Sequence, residues 1–200
     1  MFLEQPDRVR FDVMSAVGPA AVLTSNGEGF QLSDLREGTF LAGPTCPQNI
    51  ARLLGIPMNA DDVLRILTGD APRIDATEQS IECRDGQYVV TLAAVDGTTQ
   101  ELAFSVSEAD RSKAPEAQRL RLSRSVERMP DGTARWQATY GDYIEVDGRS
   151  FPTDVRFTDA ASGADTLVRV KSISLNPEIP EGVFHQEPSP GMTVELATCS

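Results

Sequence analysis

His185 is the only histidine in the chain, and it limits how much side-chain chemistry the sequence can support. A Ser–His–Asp hydrolase would have to use it, yet it sits in GVFHQEPSPG near the C-terminal end and no GxSxG elbow occurs. Hydrolysis through His185 is therefore a minor reading, and labelling of a serine by a fluorophosphonate probe is the result that would raise it. Asp61 and Asp62 are adjacent carboxylates, but as first-turn residues of a helix they answer the positive end of its dipole, which explains them without an acid and base pair. No glycine-rich loop leads from a strand into a helix as a phosphate cradle requires. Cys46, Cys83 and Cys199 form no CxxC and no Cys/His ligand spacing, so no metal and no cofactor is expected. One pair, such as Cys83 with Cys199, can bond in an oxidising compartment; three idle thiols are the other reading.

Without a catalytic constellation, the elements themselves carry the argument. RVRFDV alternates Val9, Phe11 and Val13 with Arg8, Arg10 and Asp12, which is the signature of a half-buried strand. The same period continues through GFQL, GTFLAG, QSIECR, QYVVTLAAV, QELAFSV, QRLRLSRSVERM, ARWQATY, DYIEV, PTDVRFT, TLVRVKSISL and MTVEL. Turn signals such as SNGEG, RDGQ, VDGT and VDGR separate them, and short spacing predicts antiparallel neighbours. The expectation is a mainly β fold, a meander of roughly ten strands that curls because twisted open sheets of that size rarely stay flat. Between GPTCPQNI and LTGDAP the period changes to that of a helix. Ile50, Leu53 and Leu54 form one stripe and Val63, Ile66 and Leu67 another, with Gly55 and Pro57 ending the first helix, Asn59 capping the second and Gly69 stopping it. Helices this short need an apolar surface to lie on, and the concave face of the curled sheet is the one available.

Composition narrows the partners. Thirty acidic against eighteen basic residues give a formal net charge of -12, which repels a phosphate backbone, so nucleic acid is excluded as a partner. No stretch approaches the roughly eighteen consecutive apolar residues of a membrane-spanning helix. Met1 leads directly into FLEQPDRVRF without a basic n-region or an apolar h-region. No internal repeat, low-complexity tract or domain boundary is visible, so residues 1–200 are expected to form one domain. One segment breaks the rule that turns are polar: SAVGPAA, after the first strand, sets Ala16, Val17, Ala20 and Ala21 where a connection is ordinarily hydrophilic.

The order RVRFDVMSAVGPAAVLTSNGEGFQLSDLREGTFLAG, then NIARLLGIPMNADDVLRILTGDAP, resembles the outer-membrane lipoprotein receptor LolB of the lipoprotein-localisation system. VKSISLNPEIPEGVFHQEPSPGMTVEL resembles the closing pattern that LolB shares with its periplasmic relative LolA, in which an asparagine and a proline precede a phenylalanine and then a Pro-Gly before the last strand. The two stretches cover about half the chain, and an uncharacterised bacterial lipoprotein of this fold would read the same way. The resemblance implies an unclosed, half β-barrel with short helices plugging its concave side. It implies a non-enzymatic carrier or receptor that binds lipoprotein acyl chains, or another lipid, in an apolar cavity and delivers them to the inner leaflet of the outer membrane. A periplasmic carrier protein is an implied partner. Phe11, Val13, Ile50, Leu53, Leu54, Val63, Ile66, Leu67, Trp136 and Phe157 would line the cavity or its lid, and the loop Ala16, Val17, Gly18 and Pro19 would contact the membrane. This chain departs from the family in carrying valine where leucine is usual, with proline after the glycine.

The family's lipidated cysteine, first helix and first strands have no counterpart here, which fits either a fragment of a longer protein, periplasmic and anchored to the outer membrane as a lipoprotein in its full-length form, or a mis-called start. The helix stripes are equally compatible with plain core, and the aromatic residues with a filled barrel. The alternative function is a structural or sensing protein-interaction module on the same fold with no lipid cargo.

Overall fold

A computed structural model describes residues 1–16 and 18–199. The described chain is mainly β and neither of its two sheets closes on itself. It divides into two compact units, residues 1–64 with 176–200 and residues 65–175.

The first unit holds a six-stranded sheet built from β1 (Phe2–Glu4), β2 (Arg8–Ser15), β3 (Gly18–Asn26), β4 (Gly29–Asp34), β5 (Thr39–Pro44) and β13 (Thr193–Leu196), in the order β1-β2-β3-β4-β5-β13. The alternation of RVRFDV is realised, with Val9 and Phe11 buried. Phe11 pairs with Leu23 and Leu23 with Leu32, so one face carries an apolar row across three strands. β13 joins β5 in parallel, a departure from the all-antiparallel expectation. Occupation of that edge by the C-terminal strand is also why the meander is divided: β5 has β4 on one side and β13 on the other, leaving no edge for a continuing strand. The close fit is visible at Gly43, where a Cβ would stand 2.0 Å from the Ala197 carbonyl oxygen.

After β5 the chain forms α1 (Pro47–Leu54), with Pro47 in its first turn, and ends it at Gly55, whose φ of 66° lets its N–H reach the Ala51 carbonyl. α2 (Ala60–Leu67) follows, with Asp61 and Asp62 in its first turn; Val63 donates to the Asn59 carbonyl, which places Asn59 at the start. Cys46 and Cys199 form a disulfide, whereas Cys83 is free and exposed, so the Cys83–Cys199 pairing is not the one formed. β13 brings Cys199 back beside the start of α1, a proximity that spacing along the chain does not reveal.

The second unit is a seven-stranded antiparallel meander in sequential order: β6 (Glu78–Arg84), β7 (Gln87–Ala93), β8 (Thr99–Val106), β9 (Leu120–Arg128), β10 (Ala134–Val146), β11 (Arg149–Asp159) and β12 (Ala164–Arg169). Asp85 and Gly86, and again Asp147 and Gly148, take positive φ in the two-residue turns that RDGQ and VDGR signal. ARWQATY and DYIEV are one strand, because Asp142 accepts a φ of 50° within β10 rather than turning the chain. TLVRVKSISL ends early as a strand: β12 stops at Arg169, and just beyond it the Val170 N–H donates to the Thr153 carbonyl at 2.8 Å.

Candidate functional site

Two features place apolar side chains at the surface or in rows that lead to it. The first is the β2–β3 hairpin tip. The seven-residue apolar connection expected from SAVGPAA is shorter in the structure: β2 runs to Ser15, β3 starts at Gly18, and the Ser15 hydroxyl donates to the Gly18 carbonyl at 2.8 Å. Pro19 enters the strand beside the register shift, a position where its missing N–H is tolerated. Val17 lies outside the described residues. Ala16 and Pro19 are exposed, Gly18 is half-buried, and Met14 and Val13 are 67% and 38% exposed, so the tip presents apolar surface on both strands.

The second feature is one face of the seven-stranded sheet. Cross-strand registers place Ile81, Val90, Leu102, Ser125, Ala138 and Phe157 in one row. A neighbouring row starts Cys83, Tyr88, Phe104 and Leu122. Burial is graded along both. Leu102, Leu122, Ala138 and Phe157 are buried, Val90, Tyr88 and Phe104 are half-buried, and Ile81 is 68% exposed. Trp136 and Phe157 stack with centroids 6.1 Å apart on the buried part of this face. A cleft of about 680 Å³ opens beside the exposed part, with Tyr88 and Val106 contributing apolar walls and Arg111 and Gln118 polar ones.

Polar anchors hold the segment after α2 onto the same face. Gln100 is fully buried; its Nε2 donates to the Pro72 carbonyl at 2.7 Å and to Ser125 Oγ at 3.1 Å, while its Oε1 accepts from the Ile74 N–H at 3.1 Å. The Tyr140 hydroxyl donates to the Asp70 carbonyl at 2.6 Å. Burial, and secondarily the neighbouring Tyr143 and Asp70 charges, push the Tyr140 pKa up, so the phenol stays a donor. Gly69, with φ +89°, passes so close that a Cβ would meet Pro152 Cδ at 2.7 Å. The Trp136 indole donates to buried Glu127, which also accepts from Arg135.

Comparison with known proteins then bears on the arrangement. No family model and no curated protein matches the chain. Among solved structures, a LolA superfamily protein from Nitrosomonas europaea superposes with a TM-score of 0.50 at 15% identity, over 90% of this chain and 77% of that one. The fold is LolA-like. An outer membrane lipoprotein-sorting protein domain from Vibrio parahaemolyticus matches at 12% identity and a TM-score of 0.39, over 89% of this chain and 87% of that one.

On this LolA-like fold the sequence-predicted residues occupy distinct places. Phe11 is buried in the first sheet, whereas Val13, two residues on, is exposed beside the tip. Ile50, Val63, Ile66 and Leu67 are buried, and Leu53 and Leu54 half-buried, on the two helices. Trp136 and Phe157 are brought together; Ala16, Gly18 and Pro19 cluster separately at the hairpin. The closing motif also has a structural reason. Phe184 is buried under the Arg8 guanidinium, 4.8 Å from the ring centroid, and Gln186 donates to the Val22 carbonyl and Thr24 Oγ1 and accepts from Ser33 Oγ, fastening the tail to the first sheet. His185 is exposed, with its Nδ1 2.9 Å from Gln31 Nε2. Among the described residues no group of three or more potential ligands is arranged for a metal ion, and no helix is long and apolar enough to cross a membrane.

Met14 and Gln100 were not singled out in the sequence, although each carries a signal. Met14 falls on the polar row of β2, with Arg8, Arg10 and Asp12; Gln100 falls on the apolar row of β8, with Leu102 and Phe104. Each breaks the period in the direction that its environment explains.

Proposed function

We propose that this chain is a non-enzymatic carrier or receptor of the bacterial periplasm. It takes up acyl chains of a lipoprotein, or another lipid, along its apolar surfaces and delivers them to the inner leaflet of the outer membrane. It is anchored there as a lipoprotein and takes cargo from a periplasmic carrier, and residues 1–200 act as one carrier domain. The observation that carries this reading is the exposed apolar hairpin tip, Val13, Met14, Ala16 and Pro19, on an otherwise acidic LolA-like body. The graded apolar rows from Phe157 and Leu102 out to Ile81 support it, because a hydrocarbon chain needs a path from a buried to an accessible end.

The mechanism follows from the magnitudes. A sixteen-carbon chain taken from water yields on the order of 12 kcal/mol at about 0.8 kcal/mol per CH₂. Three such chains would exceed the ceiling of noncovalent affinity, roughly 18–21 kcal/mol. Cargo therefore passes between apolar environments, and the tip makes the contact that brings them together.

Purified protein is expected to retain lipid extractable into organic solvent and to deliver it to liposomes. Met14→Glu places a charge on a side chain that is 67% exposed, so folding is retained while delivery falls about tenfold, the effect of losing roughly 1–2 kcal/mol of apolar contact. Undiminished delivery by Met14→Glu removes the tip from the mechanism. Absence of any lipid from freshly purified protein, together with no uptake from vesicles, removes the carrier reading altogether.

A further inference from the structure

β6 is the outermost strand of the seven-stranded sheet, and every one of its residues is exposed. Among the described residues its only strand neighbour is β7, which leaves one row of backbone donors and acceptors open there. Which residues contribute that row follows from the turn. Asp85 and Gly86 form a two-residue hairpin loop with positive φ at both positions, and such a loop closes on a hydrogen-bonded pair, here Arg84 with Gln87. Counting back in twos, Glu82, Ser80 and Glu78 bond to β7, so Gln79, Ile81 and Cys83 direct their N–H and C=O groups outward.

The sequence of this strand, EQSIECR, is complementary to itself when read backwards about Ile81. We infer that β6 pairs antiparallel with β6 of a second copy of this chain, about a two-fold axis at Ile81. In that register Ile81 faces Ile81 and Gln79 faces Cys83 of the second copy, and these are the pairs whose outward backbone groups exchange bonds. Glu78 then stands opposite Arg84 of the second copy, twice by symmetry, in a non-hydrogen-bonded pair where side chains approach most closely. Arg84 already contacts Glu101 and Glu82 on this face, so Glu78 completes an acidic cradle around it. Centring on Gln79 or Cys83 instead shortens the pairing and loses the Glu78–Arg84 match. Centring on an even-numbered residue turns bonded backbone groups toward each other. Exposed Ile81 gains a partner at the axis, and the apolar rows of the two sheets become continuous across it, whether or not lipid is the cargo.

Sedimentation and light scattering on the intact chain test this, at about 0.15 M salt, where repulsion between two acidic copies is screened beyond about 8 Å. The expected result is a concentration-dependent rise from 21.7 kDa toward twice that mass. Glu78→Arg, at an exposed position, sets like charges opposite each other and weakens association about tenfold; Glu78→Arg with Arg84→Glu restores it. Ile81→Pro, which removes an outward N–H and no bond to β7, abolishes the dimer. A chain that stays at 21.7 kDa throughout the micromolar range overturns the inference. So does a dimer indifferent to Glu78→Arg and Ile81→Pro, since it would use another surface.

Discussion

Gln100 is the side chain whose removal should say most about how the segment after α2 is held. In Gln100→Leu the volume is kept, but the Pro72 carbonyl and the Ile74 N–H each lose their partner and Ser125 loses a donor. An orphaned buried polar group costs about 1–3 kcal/mol. Two backbone groups that are partly able to rehydrate, offset slightly by the more apolar side chain, give about 2–4 kcal/mol. Against a total stability of roughly 5–15 kcal/mol this is a large fraction. In a chain of this size it corresponds to a fall in Tm of about 5–15 °C. The loss is local before it is global, so hydrogen exchange at the Ile74 amide should accelerate about thirtyfold or more, while amides in β10 and β11 change only as far as global stability does. Because Ser125 shares the network, Gln100→Leu with Ser125→Ala should cost less than the two single changes added together. Unchanged protection at Ile74 with a Tm shift below about 2 °C would show that this glutamine fills space and anchors nothing.

Four other outcomes are expected. Reducing the Cys46–Cys199 disulfide releases a loop with a sequence separation of 153 residues, so the urea midpoint should fall by the equivalent of about 2–5 kcal/mol, and Cys46→Ser with Cys199→Ser should reproduce the reduced protein without added reductant. Asp110 is buried and its pKa is held below the usual carboxylate range, chiefly by the Lys113 ammonium, against desolvation and with help from Arg119. Since the folded value is the depressed one, this stabilisation is complete above about pH 4 and is lost as pH falls toward the folded value; urea melts should show Asp110→Asn losing less stability than the parent between about pH 5 and pH 2.5. Gly43→Ala would drive a methyl group into the Ala197 carbonyl, so β13 should loosen from β5 and stability should drop by about 1–3 kcal/mol, read by exchange at the Ala197 amide. Docking on anionic vesicles should strengthen from about 0.02 to about 0.15 M salt, because screening weakens repulsion of the acidic body while the apolar tip is unaffected; docking that weakens with salt would point to a basic contact instead.

How much of this was legible depended on the range of the interactions. Local periods located most strands and both helices, since alternation in RVRFDV and the stripes Val63, Ile66 and Leu67 depend only on neighbours within a turn or a pleat. Turn chemistry was equally local, and Asp85-Gly86 and Gly55 behave as their types require. What failed was long-range. The parallel docking of β13 on β5, the division into two sheets and the Cys46–Cys199 bond all follow from the return of the C-terminal strand, which no periodicity encodes. At the candidate site the buried and the exposed halves were mixed together in the sequence: Val13 shares the alternation of Phe11 and yet ends at 38% exposure, beside the register shift at the hairpin end of β2. Residues that violated a period, Met14 and Gln100, were better guides than those that obeyed one.

That contrast separates the two tasks a carrier has to perform. Holding a hydrocarbon chain requires a large apolar surface, and on the proposed reading the rows through Leu102, Leu122 and Phe157 supply it at about 0.8 kcal/mol per buried CH₂. Docking requires a small one. Met14 and Val13 together offer roughly 2–4 kcal/mol, enough for reversible contact and too little for adsorption that would trap the protein on its target. A single surface cannot serve both, because one strong enough to hold cargo would also hold the membrane. On the proposed reading, with docking residues on the hairpin tip and the segment after α2 fastened by neutral hydrogen bonds from Gln100 and Tyr140, each can be set independently. Those bonds have individual net worth of about 1 kcal/mol, so the cover can open at a cost well below that of exposing the bound chain to water. On the proposed reading, opening and release would then be limited by contact with an apolar acceptor.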